Sequence, residues 1–411
     1  MSTPTIQVLV GFQSTTGFGT PFQLDDPVYG VLDTAGRGTL GGITLVDLTS
    51  LVKSITIRRG RNRQLDQFNA GTAQVAFYNA TRILDPLNTS SPYYPFVLPR
   101  SPIIISANGI VIYTGVVADW NLDYDLANQD IMYAACVDQF KVLANQALNA
   151  FTPSAESSSD RVTTVLDRPE INYQGARSIT TGSSTLGAYA VSQDTNVLNY
   201  LQLVTTSEQG YLFMSASGVL TFKGRTSVLN PVAGAAFGTN GTTEIPYSSL
   251  VNQFGDELLY NYITTQSPAG AVQTSSNADS IALYQSQQYA LLNLLNSTTT
   301  EVAGLGAYLL GKYQNPILRF TGLSTELAAL STDHANTALT LDLTNIATVK
   351  KSFAAGTPTS ETQTLIVSGV DHRIVPGSHI ISYTFESVDG NQYLTLDNSI
   401  FGTLDANLLA F

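Results

Sequence analysis

The sequence predicts a mainly β protein with an α+β insertion: two β-barrel-like domains and a small α+β module. Three observations predict it. The 411 residues exceed the roughly 250 to 300 that one hydrophobic core organises. Short, β-branched runs bounded by glycine and asparagine dominate both ends of the chain. Between them, one segment combines a helical pattern with a hairpin. We therefore place a first barrel domain at residues 1–150, the module at 151–230, and a second β-rich barrel domain with one helix at 231–411.

The strongest local pattern in the first domain is a hairpin. Two isoleucine-rich runs flank Asn108-Gly109, a dipeptide that is favoured in two-residue hairpin turns. Residues 72–79 alternate in the manner of a half-buried strand. Residues 137–148 carry apolar side chains at helical spacing, which predicts a helix that closes the domain.

The module is expected to begin after a linker, because residues 149–160 are polar and turn-rich. A helical pattern then starts at a cap, Asp194 or Thr195. A hairpin about Ser217-Gly218 follows it. This arrangement indicates a compact α+β unit without obvious chemistry.

The last domain contains one clear helical pattern, at residues 300–316, which ends at Asn315-Pro316. The strand-like runs that follow occupy residues 317–325, 338–345, 362–375, 379–387 and 392–398.

The composition favours protein contacts over nucleic-acid binding. Charged residues make up 12% of the chain, about half of the usual ~25%. The net charge is -12 and the pI is near 4.6, which argues against a surface that wraps DNA. A polar, weakly charged surface suits large contacts between subunits, and it also occurs in adhesins.

The cysteine content and the hydropathy of the sequence indicate where the protein is made and whether a helix spans a membrane. Cys136 is the single cysteine, so no internal disulfide is possible, and we interpret it as a buried thiol. No apolar run reaches 18 residues, so no transmembrane helix is predicted. The first 15 residues do not resemble a signal peptide, and we expect synthesis in the cytoplasm.

Signatures of catalysis and cofactor binding are missing from the sequence. It contains no nucleophile elbow, H-E-x-x-H motif or P-loop, so we predict a protein that is not an enzyme and has no cofactor. His372 and His379 would need a further ligand to hold a metal, and we expect them to face solvent or a local turn. We place His334 in a polar loop.

An acidic run is the other candidate for ion binding. Asp119, Asp123 and Asp125 do not fit the calcium-loop pattern, so we predict a solvated acidic loop and no metal site. Trp120, the only tryptophan, is interpreted as an anchor in the core or in an interface.

Four arginines lie within six residues of this acidic chain: Arg58, Arg59, Arg61 and Arg63. Three interpretations stay open: a solvated face, a nucleic-acid site and a protein interface. Nucleic acid would favour neighbouring aromatic residues, and the first aromatic is Phe68. Arginines along one strand edge suit bidentate pairing with carboxylates of an adjacent subunit.

The segment that follows the arginines resembles minor tail proteins of long-tailed bacteriophages. The matching positions are Gly60-Arg61, Leu65 to Thr72, Asn79, Asp85-Pro86, Asn88 and Ser91-Pro92-Tyr93. Similar elements occur at residues 101–120, 203–225, 301–320 and 401–411, so the resemblance extends over nearly the whole chain. The sequence departs from the family where Asn79-Ala80-Thr81-Arg82 replaces the usual Asp-Gly-Arg turn after the asparagine.

The resemblance implies a baseplate or tail-tip hub: two related barrels per chain and three chains in a pseudo-sixfold ring that lets DNA pass. Its implied partners are the tail tube or distal tail protein ring, other tail-tip or fibre proteins and the tape measure protein, with no sequence-specific binding of nucleic acid. The alternative function is a receptor-binding or adhesin-like tail-tip protein. The candidate subunit interface comprises Arg58, Arg59, Arg61, Arg63, Phe68, Tyr93 and Tyr94.

Overall fold

A computed structural model describes residues 3–14, 42–124, 130–228, 234–268 and 270–388. Strands hold 41% of these residues and helices 19%, which confirms the mainly β fold class. The strand expected at 392–398, the tail at 401–411 and Asp125 lie outside the described residues.

The first β region contains seven antiparallel strands in the order β3-β4-β7-β6-β5-β1-β2. They are β1 (Ile6–Ser14), β2 (Gly42–Asp47), β3 (Val52–Gly60), β4 (Asn69–Tyr78), β5 (Pro102–Ala107), β6 (Ile110–Asp123) and β7 (Ile131–Val137). Strand β4 buries Ala73, Val75 and Phe77, as its alternation predicts. The β5–β6 hairpin turns through Asn108 and Gly109, whose φ values of 50° and 78° are those that this dipeptide adopts readily.

The central module is built from two longer helices and short strands. Its elements are α1 (Phe140–Ala144), β8 (Ala147–Leu148), β9 (Glu156–Ser157), α2 (Ser158–Leu166), β10 (Arg177–Ile179), β11 (Thr185–Leu186), β12 (Thr195–Asn196), α3 (Val197–Glu208), β13 (Tyr211–Met214) and β14 (Leu220–Lys223). The β13–β14 hairpin is confirmed, with Gly218 at a φ of 78°.

Three local predictions in the module are wrong. The closing helix is only α1, because residues 147–148 pair with β12 instead. Helix α3 is capped by Asn196, whose side chain accepts a hydrogen bond from the Asn199 amide. The expected linker at 149–160 contains the start of α2, where Ser158 is fully buried. Ser158 and Ser159 are buried, whereas Asn149, Thr152 and Ser154 are exposed, so the polar residues of this segment enter the interior only near its end.

The last region contains nine further strands and three helices among its described residues. They are β15 (Ala235–Phe237), β16 (Ser249–Gln253), β17 (Tyr262–Thr265), β18 (Gln273–Ser276), α4 (Ala278–Tyr284), β19 (Gln288–Leu291), α5 (Thr299–Tyr313), β20 (Arg319–Glu326), α6 (Thr332–Thr340), β21 (Ile346–Ser352), β22 (Ser360–Val375) and β23 (Ser378–Ser387). Single 3-10 turns occur at Thr49–Leu51, Arg225–Val228 and Leu327–Ala329.

The prediction of one helix in this region is wrong. Helix α5 matches it, but α4 and α6 were not expected. Helix α6 and the turn after it occupy the segment predicted as a strand at 338–345. Leu339, Leu341 and Leu343 are all buried, so their alternation imitates a strand although the backbone is helical and then turns. The predicted strands at 317–325, 362–375 and 379–387 correspond to β20, β22 and β23.

A second small α+β unit also escaped the sequence analysis. Strands β18, β17 and β19 form a sheet of their own, with α5 packed against it. Its separate apolar core includes Ile263, Val302, Leu305 and Leu309.

One continuous sheet joins the two β regions. Strand β22 pairs antiparallel with β3, from Gly369 opposite Gly60 to Ile374 opposite Ile55. The resulting 13-stranded sheet runs in the order β16-β20-β23-β22-β3-β4-β7-β6-β5-β1-β2, and β21 and β15 branch from β22. A single large core is shared by both regions and the module. The division into domains at 150 and 230 stays a prediction.

We predict that Gly60→Ala destabilises the chain by about 3 kcal/mol or more, because the new Cβ would lie 2.2 Å from the Ser368 carbonyl oxygen. Gly356→Ala is the matched control: its φ of 92° resembles the 103° of Gly60, but no atom lies within 4 Å of the added carbon. It should cost about 1 kcal/mol. Urea denaturation would measure both, and equal losses would contradict the proposed close approach of β3 and β22.

Candidate subunit interface at the sheet junction

The arginine cluster lies where β3 meets β22, at the seam of the continuous sheet. Arg58 stands opposite Asp371 in the strand register. The Arg58 Nε and Asp371 Oδ2 atoms are 3.5 Å apart, and the two side chains are 76% and 45% exposed. This is a loose surface pair, which contributes little to stability.

Arg59 is buried and connects three parts of the chain. Its guanidinium donates to Asp342 at 2.5 Å and to the Met214 carbonyl oxygen at 3.2 Å. Asp342 also accepts hydrogen bonds from the backbone amides of Leu343 and Ala216. The pair therefore joins β3 to the central module and to the turn after α6.

Arg61 is buried on the other side of the seam. It pairs with Glu386 at the end of β23 and donates to the Asp66 carbonyl oxygen at 2.9 Å. Its guanidinium lies over the rings of Phe68 and Tyr211, 4.8 and 5.5 Å from their centroids. Burial is the largest single influence on the pKa of Arg61 and lowers it. The charge and hydrogen bond of Glu386, together with Tyr211 and Tyr313, outweigh burial, so the pKa of Arg61 is raised above its ordinary value.

The remaining members of the candidate interface differ in exposure. Arg63 is half exposed and pairs with Glu257 at 3.2 Å. Phe68 is 3% exposed and packs beside Phe213. Tyr93 stacks on Phe12 with ring centroids 4.7 Å apart, whereas Tyr94 is 43% exposed.

The exposure of these side chains limits the predicted interface, which stays a proposal. The side chains of Arg59, Arg61 and Phe68 contact other segments of the same chain, and little of them is left for a neighbouring subunit. Arg59 lies on the buried side of β3, and Arg61, directly after the strand, is directed towards Glu386. Arg58, Arg63 and Tyr94 keep the exposed surface that a subunit contact requires, and for them the assignment stays a proposal.

A buried histidine pair occupies the same junction. His372 on β22 and His379 on β23 lie 3.0 Å apart between Nδ1 and Nε2, and both are almost fully buried. The expectation that they face solvent is wrong, because the β22–β23 pairing turns both into the sheet interior. Burial lowers the pKa of His379 to about 4 and also depresses the pKa of His372, to which His379 and Arg59 add.

The other residues singled out from the sequence lie on strands and on a helix of the fold. Asp119 and Asp123 are exposed on β6, so they lie on a strand and not in a loop. Trp120 donates from Nε1 to the Leu98 carbonyl oxygen at 2.9 Å. Cys136 is buried, as predicted, and burial raises the pKa of its thiol to about 12. His334 lies in the first turn of α6, which corrects its placement in a loop.

In the part of the chain that the structure describes, no group of three or more histidine, cysteine, aspartate or glutamate side chains is arranged to hold a metal ion. None of the helices in those residues is both long and apolar enough to cross a bilayer.

Sequence reasoning missed the acidic partners and the buried polar centre of the module. Asp342 and Glu386 lie 283 and 325 residues from their arginines, so no local pattern links them. Glu208 is fully buried and accepts hydrogen bonds from the backbone amides of Ser183, Ser184 and Arg225. It is the glutamate of the Glu-x-Gly element within the family resemblance at 203–225, and that element was the available signal.

We predict that Asp342→Asn lowers the free energy of unfolding by about 3 kcal/mol, because it leaves the buried Arg59 without its counter-charge. Asp371→Asn removes the partner of the neighbouring, exposed Arg58 and should cost less than about 1 kcal/mol. Urea titration of both variants at neutral pH tests this. A larger loss for Asp371→Asn would show that the buried pair is not the stabilising contact.

We predict that acid weakens the fold through the histidine pair. The unfolded chain protonates both histidines as the pH falls below the ordinary value of about 6.5, whereas the folded chain keeps them neutral. The unfolding free energy should therefore decrease between pH 7 and pH 4. Urea midpoints at several pH values would measure it. The double variant His372→Phe/His379→Leu should show a shallower decrease, and an unchanged slope would exclude the pair as its source.

The sequence matches no family model, and no curated protein matches it. Solved structures do resemble its fold. A tail protein from Neisseria meningitidis MC58 has a TM-score of 0.58 and 8% identity, covering 84% of this chain and 94% of that one. The prophage MuSo2 43 kDa tail protein from Shewanella oneidensis has a TM-score of 0.52 and 11% identity, with the same coverages.

A prophage tail protein, gp18 from Listeria monocytogenes EGD-e, has a TM-score of 0.50 and 10% identity, covering 84% of this chain and 92% of that one. Two of these neighbours are prophage tail proteins and the third is a tail protein, in keeping with the resemblance of the sequence to phage tail proteins. At such low identities the likeness establishes the fold: this chain has the fold of those tail proteins.

Proposed function

We propose that the chain is a structural protein of a phage-type tail, located in the virion at the tail tip or baseplate. There it would form the hub: three copies in a pseudo-sixfold ring that joins the tail tube to the distal tip and lets DNA pass. Its partners would be two further copies, the tail tube or distal tail protein ring, other tail-tip or fibre proteins and the tape measure protein.

The observation that carries this proposal is the continuous sheet in a chain with a tail-protein fold. Because β3 and β22 pair directly, the two β regions move as one body, and each chain offers two β units to a ring. Three such chains would present six units to a sixfold tube. The three chains would themselves form a closed ring with C3 symmetry. The buried pairs Arg59–Asp342 and Arg61–Glu386 support the same rigidity.

The surface composition also supports an assembly role without catalysis. A chain with 12% charged residues needs to desolvate few ions when large surfaces meet. An acidic total of -12 would repel DNA from a ring lumen and so allow the genome to slide through. The alternative, a receptor-binding or adhesin-like tail-tip protein, draws on exposed apolar side chains of the 79–101 loop, such as Leu87 at 76% exposed.

We expect the purified chain to form trimers by sedimentation or mass photometry, and rings with pseudo-sixfold symmetry by electron microscopy. Arg58→Glu and Tyr94→Ala, at exposed positions of the candidate interface, should each weaken association about fivefold or more.

Lys351→Glu is the control, since it reverses an equally exposed charge on β21 and should leave association unchanged. A chain that stays monomeric and binds host envelope would contradict the hub and favour the adhesin alternative.

A further inference from the structure

A polar cleft of about 200 Å³ lies where the second small α+β unit meets the rest of the chain. Three segments line it: residues 61–68 after β3, residues 205–211 from the end of α3 into β13, and residues of β19 and α5. The unit that supplies β19 and α5 has an apolar core of its own. The cleft is therefore a boundary between separately packed parts of the chain, which is a common place for a ligand site.

Tyrosine rings line the part of the cleft that belongs to the second unit. Tyr289 on β19 and Tyr308 on α5 pack against the core of this unit and stay partly exposed. The ring of Tyr260 lies beside that of Tyr289, with 4.9 Å between their centroids, and restricts its movement. A fixed aromatic ring offers contact area at a low cost in conformational entropy. These tyrosines therefore suit a ligand with a flat, weakly polar face.

Two glutamine side chains of the cleft are oriented by contacts with Thr206. Gln67 donates from Nε2 to Thr206 Oγ1 at 2.8 Å, and Gln209 donates from Nε2 to the Thr206 carbonyl oxygen at 2.8 Å. Because Thr206 Oγ1 itself donates to the Gln202 carbonyl oxygen, it must accept from Gln67. No hydrogen bond among the described residues uses the Oε1 atom of either partly exposed glutamine. The cleft therefore offers acceptors to a ligand that donates hydrogen bonds.

The charged groups of the cleft balance one another. Its lining contains two basic side chains, Arg61 and Lys312, and two acidic ones, Asp66 and Glu386. Arg61 and Glu386 also form an ion pair with each other. An anion such as a phosphate would meet the two carboxylates, and a cation would meet the two basic groups. This balance favours a neutral ligand.

A sugar ring meets all three conditions. Its hydroxyl groups donate hydrogen bonds around the rim, its C–H groups form a face that packs on aromatic rings, and the common hexoses and N-acetylhexosamines are uncharged. The cleft is smaller than the roughly 300 to 1,000 Å³ of sites for drug-sized ligands, so it suits about one ring. We propose that the cleft is a saccharide site in which Tyr289 and Tyr308 contact the face of the ring and Gln67 and Gln209 accept from its hydroxyl groups. This binding activity is additional to the proposed structural role.

Titration of the full chain with glucose, galactose, N-acetylglucosamine and the N-acetylglucosamine trimer tests the site by saturation-transfer NMR. We expect a Kd on the order of 1 mM for at least one of the monosaccharides. Tyr308→Ala should weaken binding about tenfold or more, whereas Tyr308→Phe keeps the ring and should bind within about twofold of wild type. Gln67→Ala removes an acceptor and should weaken binding about fivefold.

Tyr284→Ala is the matched control. It removes a tyrosine that is 39% exposed on α4 of the same unit and does not line the cleft, so binding should stay unchanged. The melting temperature of each variant separates lost binding from lost folding. Where Tyr308→Ala is unstable, Tyr308→Phe decides: retained binding supports the ring contact, and lost binding contradicts it.

Absence of binding by every sugar up to about 50 mM would overturn the proposal and leave the cleft to solvent. Equal binding by wild type, Tyr308→Ala and Gln67→Ala would also overturn it, because the sugar would then lie elsewhere. Tighter binding of the trimer would support a polymeric glycan as the source of the ring, and equal affinities would support a free sugar. None of these measurements depends on association, so the hub proposal is tested separately.

Discussion

The pairing of β3 with β22 is the contact on which the rest of the structure depends. Its backbone hydrogen bonds join Ile55–Gly60, in the first β region, to Gly369–Ile374, in the last one. On either side of the seam a buried arginine finds its counter-ion in a distant segment, Asp342 for Arg59 and Glu386 for Arg61. Breaking one buried partner would leave an uncompensated charge, so the seam forms completely or is strongly destabilised.

This constraint explains why the two β regions and the module share a core. The Arg59–Asp342 pair also holds the Met214 carbonyl oxygen and the Ala216 amide at the β13–β14 hairpin, so the module is bonded to the seam directly. The module is then ordered around its own buried carboxylate, Glu208, which satisfies three backbone amides. These contacts connect both β regions and the module to the seam.

The charges of this acidic chain fall into two classes with different physical roles. Arg59 and Arg61 form ion pairs with carboxylates of the same chain. Their side chains connect segments of the fold and are little exposed to solvent. The exposed pairs of Arg58 and Arg63 lie at the surface and contribute little to stability. The low content of charged residues, 12% of the chain, lowers the desolvation cost of contacts with other proteins.

Local sequence patterns predicted those elements that depend on only a few adjacent residues. The Asn108-Gly109 turn, the hairpin at Gly218, helix α5 and the alternating burial of β4 all follow from the backbone preferences and periodicity of a few adjacent residues. The mainly β class and the tail-protein resemblance of residues 60–93 also came from the sequence. Local pattern failed at Leu339, Leu341 and Leu343, whose alternating burial resembles that of a strand. It also failed at Ser158 and Ser159, polar residues that are buried at the start of α2.

The tertiary structure alone decided what the arginines do. In sequence, Arg58, Arg59, Arg61 and Arg63 form one basic cluster with a single apparent role. In the fold they divide into two exposed side chains, Arg58 and Arg63, and two that form internal ion pairs, Arg59 and Arg61. The carboxylates that make this division lie about 200 to 330 residues away, beyond the reach of any local rule. The sequence thus determined which residues carry charge, and the pairing of distant strands determined which of those charges remain for a partner.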